Sequence, residues 1–414
     1  MRNHIVLLCF TLATQLVYSQ DTIKVTFSQE TDTLTKQRFI DKYENVFMTK
    51  VPTRHMLKFG LGFYPDNLRR FYSSEIRNVT YEIGYEYKIL PAVSIGVNIG
   101  VTNPYNYTPK FAGTFVANIQ GKWYFDMDKR IRQEKSANNF TGNFLSAVYE
   151  HRTRYDWRRF ELSRMGIEFG LQRRFLSQGR FEFAVGLFRQ TYQNGYYQAD
   201  EWLAGDQTTE LAISTRTNIG LAIGDWKRTS RSPLCEILNC EQFVQDQWKV
   251  SLPSLELSLR KIQLTTAFAY ERKFGQSPFS VNAQVFSDFR KEFRRSYKSD
   301  GNEVSDYTYQ LQPIIQFRFY ALQKRNIRKG TGGNNLSGIY FAPHVEFLRY
   351  TTTKWGHYQS KQHFGPGLSL GYQQSIFKRV YVDIFGAMGR NLPSDSPDSP
   401  KRFGTLRIGF GLRI

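Results

Sequence analysis

Apolar and polar residues alternate with a period of two along most of the chain. In 79–88, Val79, Tyr81, Ile83, Tyr85 and Tyr87 oppose Thr80, Glu82, Gly84, Glu86 and Lys88. At the carboxyl end, Leu406, Ile408, Phe410, Leu412 and Ile414 oppose Thr405, Arg407, Gly409, Gly411 and Arg413. Such alternation marks β-strands with two unlike faces. Eight runs are predicted near 56–64, 79–88, 93–102, 114–125, 143–151, 164–174, 180–191 and 213–223. Eight more are predicted near 249–259, 262–273, 278–288, 308–320, 337–349, 364–375, 379–388 and 403–414. Helical spacing occurs at Phe39, Ile40, Tyr43, Val46 and Phe47, within an otherwise polar segment.

The two sets of runs repeat one another. KWYFDMDKRIRQEKSANNFTGNF, from Lys122, answers to RFYALQKRNIRKGTGGNNLSGIY, from Arg318, at a constant offset of 196 residues. Beyond this stretch, Tyr85-Glu86 answers to Tyr270-Glu271, and Gly166 and Gly170 to Gly367 and Gly371. Phe181 and Gly186 are matched with Tyr381 and Gly386, and Ile219-Gly220-Leu221 with Ile408-Gly409-Phe410. The organisation expected is a signal peptide over 1–19, an N-terminal periplasmic segment over 20–53, a first β-barrel repeat over 54–223, a linker over 224–248 and a second repeat over 249–414.

Composition narrows the class. No long charge-free apolar run follows the N-terminus, and mean hydropathy is −0.48, which excludes transmembrane helices but not a transmembrane barrel. Arg2, the apolar stretch Ile5–Leu16 and the small residues before Gln20 read as an export signal. Export permits a Cys235–Cys240 disulfide in CEILNC; the alternative is two free thiols. Connection lengths agree with a barrel started from the periplasm. Segments after strands 2, 6, 10 and 14 are short, and most after odd-numbered strands are longer and polar.

The fold expected is therefore all-β: a transmembrane antiparallel up-and-down barrel of about 16 strands from two 8-strand repeats, with two 8-stranded barrels as the alternative. One barrel is preferred, because continuous pairing of strand 8 with strand 9 needs no second closure. The lumen would carry Glu82, Glu86, Lys88, Lys122, Glu168, Glu182, Glu271, Arg318, Arg407 and Arg413. Glu86 with Lys122, and their copies Glu271 with Arg318, are expected to form two ionic clusters near the periplasmic mouth.

The KWYF…NNFTGNF and RFYA…NNLSGIY segments, with the alternating last strand, resemble those of Bacteroidota-type outer-membrane β-barrel proteins of unknown function. The resemblance implies an outer-membrane barrel and carries over no catalytic residue. It implies contact with outer-membrane lipid and lipopolysaccharide, and with the barrel-assembly machinery during insertion.

The function expected is a porin-like passive channel for small polar or anionic solutes, without enzyme activity and without a cofactor. The alternative is a closed structural or binding barrel. It would present basic loops to surface polyanions, or the basic connections 126–139 and 322–335 to a periplasmic partner. The net charge of +20 fits polyanions, while nucleic acid fits the charge but not the compartment. HRTRYDWRRFELSR (151–164) and FRKEFRRSYK (289–298) read as basic external loops. His357 and His363 fall in another and are too few for a metal site. Lys329–Gly333 lacks the ending of a phosphate loop, and Asp395 and Asp398 read as loop carboxylates.

Overall fold

A computed structural model describes residues 53–65, 79–102, 113–132, 139–155, 160–175, 178–198, 201–224, 243–295, 303–328, 335–354, 357–376, 379–392 and 402–414. The signal segment, the periplasmic segment up to 52, Cys235, Cys240, Lys329–Gly333, Asp395 and Asp398 lie outside them.

The chain is all-β. The first half contains β1 (His55–Phe63), β2 (Val79–Leu90), β3 (Val93–Thr102), β4 (Gly113–Trp123), β5 (Gly142–Tyr155), β6 (Phe160–Phe175), β7 (Gly179–Gln198) and β8 (Glu201–Ile223). The second contains β9 (Asp246–Ser251), β10 (Ser254–Ser258), β11 (Lys261–Lys273), β12 (Phe279–Arg295) and β13 (Glu303–Tyr320). It continues with β14 (Gly338–Lys354), β15 (His357–Ile376), β16 (Val380–Arg390) and β17 (Arg402–Arg413). Two short helices, α1 (Met127–Arg132) and α2 (Gln323–Arg328), follow β4 and β13. Asp128 in the first turn of α1 and Lys129, Arg130 and Arg132 in the last match the helix dipole.

Every pairing is antiparallel, and the sheet closes twice. β1 to β8 pair in sequence, and β8 returns to β1 over Thr217–Ile223 against Leu57–Phe63. This first ring has eight strands. β9 pairs with β11, β11 to β17 pair in sequence, and β17 returns to β9 through Gly411↔Ser251, Leu412↔Val250 and Arg413↔Lys249. The single wide ring preferred from the sequence is thus replaced by two narrow ones at this level.

The predicted continuity of strand 8 with strand 9 exists only at the far end. The run 249–259 is broken at Leu252–Pro253, where proline has no amide proton for a ladder. Beyond the break β10 leaves β17 and pairs with β8, through Glu256↔Ser214, Leu257↔Ile213 and Ser258↔Ala212. The Thr215 hydroxyl holds the crossing by donating to the Pro253 carbonyl (3.1 Å) and accepting from the Leu255 amide (2.8 Å). The rings share no strand pairing at the end where β2 passes to β3, β6 to β7, β11 to β12 and β15 to β16, here called the turn end. They share a seam toward the opposite end. Below the seam their outer faces pack together: Phe181 stacks on Phe410 at 4.2 Å, with Ile376 and Val382 buried beside them.

Several predicted loops are strand. The connection expected after the seventh strand, 192–212, lies mostly in the β7–β8 hairpin, and His357 and His363 both lie on β15. The basic stretch 151–164 continues β5 and opens β6, and 289–295 continues β12. Arg152 and Arg164 point inward, where Glu150 takes both: Arg152 Nε lies at 2.6 Å and Arg164 Nε at 2.9 Å. Alternation persists there, so Glu150, Arg152 and Arg164 share the inner face and satisfy one another.

Candidate functional site

Each ring is filled near its turn end by a layer of ion-paired side chains, and the two layers are copies. In the first ring, Glu86 on β2 is fully buried. It meets Lys58 of β1 at 3.2 Å and Lys122 of β4 at 3.5 Å. Ser94 and Tyr124 each donate to its other oxygen at 2.7 Å. In the second ring Glu271 meets Lys249 at 2.9 Å and Arg318 at 3.2 Å, and accepts from Ser280 and Tyr320 at 2.7 Å.

The layer extends across the lumen in the same way. Lys122 reaches Glu182 on β7 at 3.0 Å and donates to Gln172 on β6 at 2.8 Å. Arg318 reaches Asp383 on β16 at 2.8 Å and donates to Gln373 on β15 at 2.7 Å. The glutamines donate onward to the carbonyls of Phe140 and Leu336, each at 2.7 Å. Those carbonyls belong to the repeated NNFTG and NNLSG segments. The function of the motif is visible here: its backbone folds back under the ring and closes the hydrogen bonds of the layer. Leu336 takes a positive φ of 55° to do so and is 1% exposed. The cations also face aromatic rings. Lys122 Nζ lies 4.6 Å from the Phe144 centroid, and Arg318 Cζ lies 4.0 Å from that of Tyr340.

Glu82, Glu86, Lys122, Glu271, Arg318, Arg407 and Arg413 all face a ring interior. Glu82 accepts from Tyr64 and, at 2.6 Å, from Asn218. Arg407 donates to Gln312 at 2.6 Å, and Arg413 to Ser375 at 3.2 Å. The structure brings together Glu86 with Lys122, and Glu271 with Arg318. Lys88, Glu168 and Glu182 are buried in the first ring, and Arg216 bridges Glu168 at 2.8 Å and Glu182 at 2.9 Å.

Sequence reasoning missed Lys58, Lys249, Asp383 and the two tyrosines as members of the layer. Lys58 carried a signal, since it lies on the face opposite Leu57 and Phe59. Asp383 was hidden by a wrong repeat register. β6–β7 pairs Gln172 with Glu182, and β15–β16 pairs Gln373 with Asp383. Glu182 therefore corresponds to Asp383, one position from the Phe181–Tyr381 match, and Gly186 corresponds to Ala387 rather than Gly386. β8 and β17 are corrected by two positions: Asn218 pairs with Glu182 as Gly409 pairs with Asp383. Arg216 then corresponds to Arg407, and Gly220 to Gly411.

The second candidate feature is a cavity of about 180 Å³ beside the second layer, lined by side chains of both halves. Among the described residues no group of three or more metal-ligating side chains converges. Comparison with family models and with curated proteins finds no match to this chain.

Proposed function

We propose that the protein spans the bacterial outer membrane as two closed barrels and works by binding, not by conducting solutes. The observation that supports this is the inversion of polarity across the wall. Outward side chains are apolar and open: Ile119, Ile167, Leu211, Ile315, Phe341 and Leu368 are each more than 50% exposed. Inward side chains are charged and buried. A protein surrounded by water would leave that apolar belt without a partner, whereas a bilayer covers it. The export signal, the resemblance to Bacteroidota-type barrels and the parity of the connections support the same placement. No described helix is long and apolar enough to cross a membrane.

The filled layers favour binding over passage. Lys58, Glu86, Lys122, Lys249, Glu271 and Arg318 are at most 2% exposed, so the described side chains at their level pack against one another rather than against water. Opening either ring would require separating several buried ion pairs at once, at several kcal/mol each. α1 and α2 present Lys129, Arg132, Lys324, Arg325 and Arg328 to solvent at the turn end. Two like basic patches there suit an acidic periplasmic partner.

The test is single-channel recording of the full chain in a planar bilayer, paired with liposome flotation to establish insertion. Inserted protein is expected to be silent, with no stable porin-sized steps. Such steps would overturn the closed-barrel reading, and failure to float with liposomes would overturn the membrane placement.

A further inference from the structure

The two ring interiors diverge just above the ionic layer. In the first ring this level is filled. Arg216 bridges Glu168 and Glu182 and donates to Gln120 at 3.1 Å, while Glu82 holds Asn218 at 2.6 Å. Strand register identifies the counterparts in the second ring. Glu82 becomes Ala267, Glu168 becomes Ser369 and Asn218 becomes Gly409. Arg216 becomes Arg407, which lies over the Phe286 ring at 4.3 Å and donates to Gln312. Three side chains that fill the first ring are shortened in the second, while the same register turns Gly100 into Phe286, which takes back part of the space and forms a wall of the cavity. The cavity of about 180 Å³ occupies the space that remains, against Ala267, Ala269 and Gly409.

The cavity does not end at the wall. β17 is hydrogen-bonded to β9 only as far as Ser251, with one further bond from the Leu252 amide to the Phe410 carbonyl at 3.0 Å. Beyond Leu252 the neighbouring strand crosses to β8. The cavity follows that parting. It is lined on the inside by Lys249, Gln284 and Arg407, and on the outside by Leu406 and Ile408 of β17 and, across from them, by Phe63, Val79 and Thr217 of the first ring. One continuous space thus joins a polar lumen bearing two cationic side chains, beside Asp383, to the apolar crevice where the outer face of β17 meets the first ring.

We propose that this space is a binding site for a single-chain anionic amphiphile, its charged head inside the second ring and its alkyl chain leaving between β10 and β17. The inference rests on the membrane reading above, because the outer half of the site faces lipid only if the apolar belt does. The head meets cations and amides in a low-dielectric lumen, where a charge-assisted bond is strong. The chain lies on the apolar side chains of that crevice and reaches the bilayer past Leu406, which is exposed. The first ring, whose equivalent level is filled, binds none.

The probe is cis-parinaric acid, a fluorescent long-chain carboxylic acid, titrated into the full chain in nanodiscs after flotation has shown insertion. Saturable binding of about one probe per chain is expected. Ala267→Phe should weaken it about tenfold or more, a loss of about 1.4 kcal/mol. Val97→Phe, on the outer face of the first ring, should leave it unchanged. In wild-type protein a diazirine-bearing fatty acid should label peptides of β11 and β17. Absence of saturable binding by inserted protein, equal binding by Ala267→Phe, or labelling confined to the first ring would each overturn the site while leaving the membrane reading intact. Failure of flotation would remove the membrane reading and the site with it.

Discussion

Glu271→Gln is expected to destabilise the protein by about 3–5 kcal/mol, the cost of leaving buried charge without its partner. The carboxylate is shared by Lys249 and Arg318 and accepts from Ser280 and Tyr320. An amide of the same shape keeps the packing and one acceptor, but not the charge. Arg318 retains Asp383 at 2.8 Å, while Lys249 keeps its bonds to Asn282 and Gln373 but has no carboxylate nearer than Asp383 at 3.8 Å. Lys249 is therefore the group that suffers. The double variant Glu271→Gln/Lys249→Met should recover about half of the loss, because it removes the orphaned cation. Glu86→Gln should behave alike in the first ring. The measurement is denaturant unfolding in detergent micelles, followed by circular dichroism. Single variants within about 0.5 kcal/mol of wild type would mean that the layer fills space without holding the fold.

The second large effect is steric. A Cβ on Gly411 would collide with the Val250 carbonyl oxygen and stand 2.7 Å from Ser251 Cα. A Cβ on Gly220 would meet the Phe59 carbonyl in the same way, with its carbon at 2.8 Å. Each glycine lets the last strand of its ring approach the first closely. Gly411→Ala and Gly220→Ala therefore push on the two closures with similar force, costing about 1–3 kcal/mol in strain. The outcomes should nonetheless differ. The first ring closes through seven residue pairs, Leu57–Phe63 against Thr217–Ile223, and the second through three. Gly411→Ala should open the β9–β17 closure, raising amide exchange in 246–251 and 411–413 about tenfold or more. Gly220→Ala should lower overall stability with less local opening. Wild-type exchange rates in Gly411→Ala would show that the closure tolerates the added carbon.

The alternation of apolar and polar positions reveals most strands directly, since a wall with two unlike faces imposes a period of two. The meeting of Lys122 with Glu86, and of Arg318 with Glu271, could be anticipated from their places near strand ends. Other members could not. Lys249 sits three residues before the Leu252–Pro253 break, in what reads as one continuous strand. Asp383 becomes visible only once strand register corrects the repeat. The basic stretch after Glu150 looks like a solvated loop because charge density is a weak guide where the inner face is itself ionic. The number of rings was the least legible feature. It depends on which neighbour β9 and β10 choose, and a local pattern does not encode a choice between two distant edges.

The change of partner at Pro253 also bears on what keeps the halves in one piece. They are tied by the β8–β10 ladder, by the Thr215 bridge and by the Phe181–Phe410 contact, none of which depends on the covalent connection after β8. A protease cut within 225–242 would leave two polypeptides that still migrate and unfold as one body. The two halves are thus closer to a fused dimer than to beads on a string, with a strand lent across the boundary as the fastening.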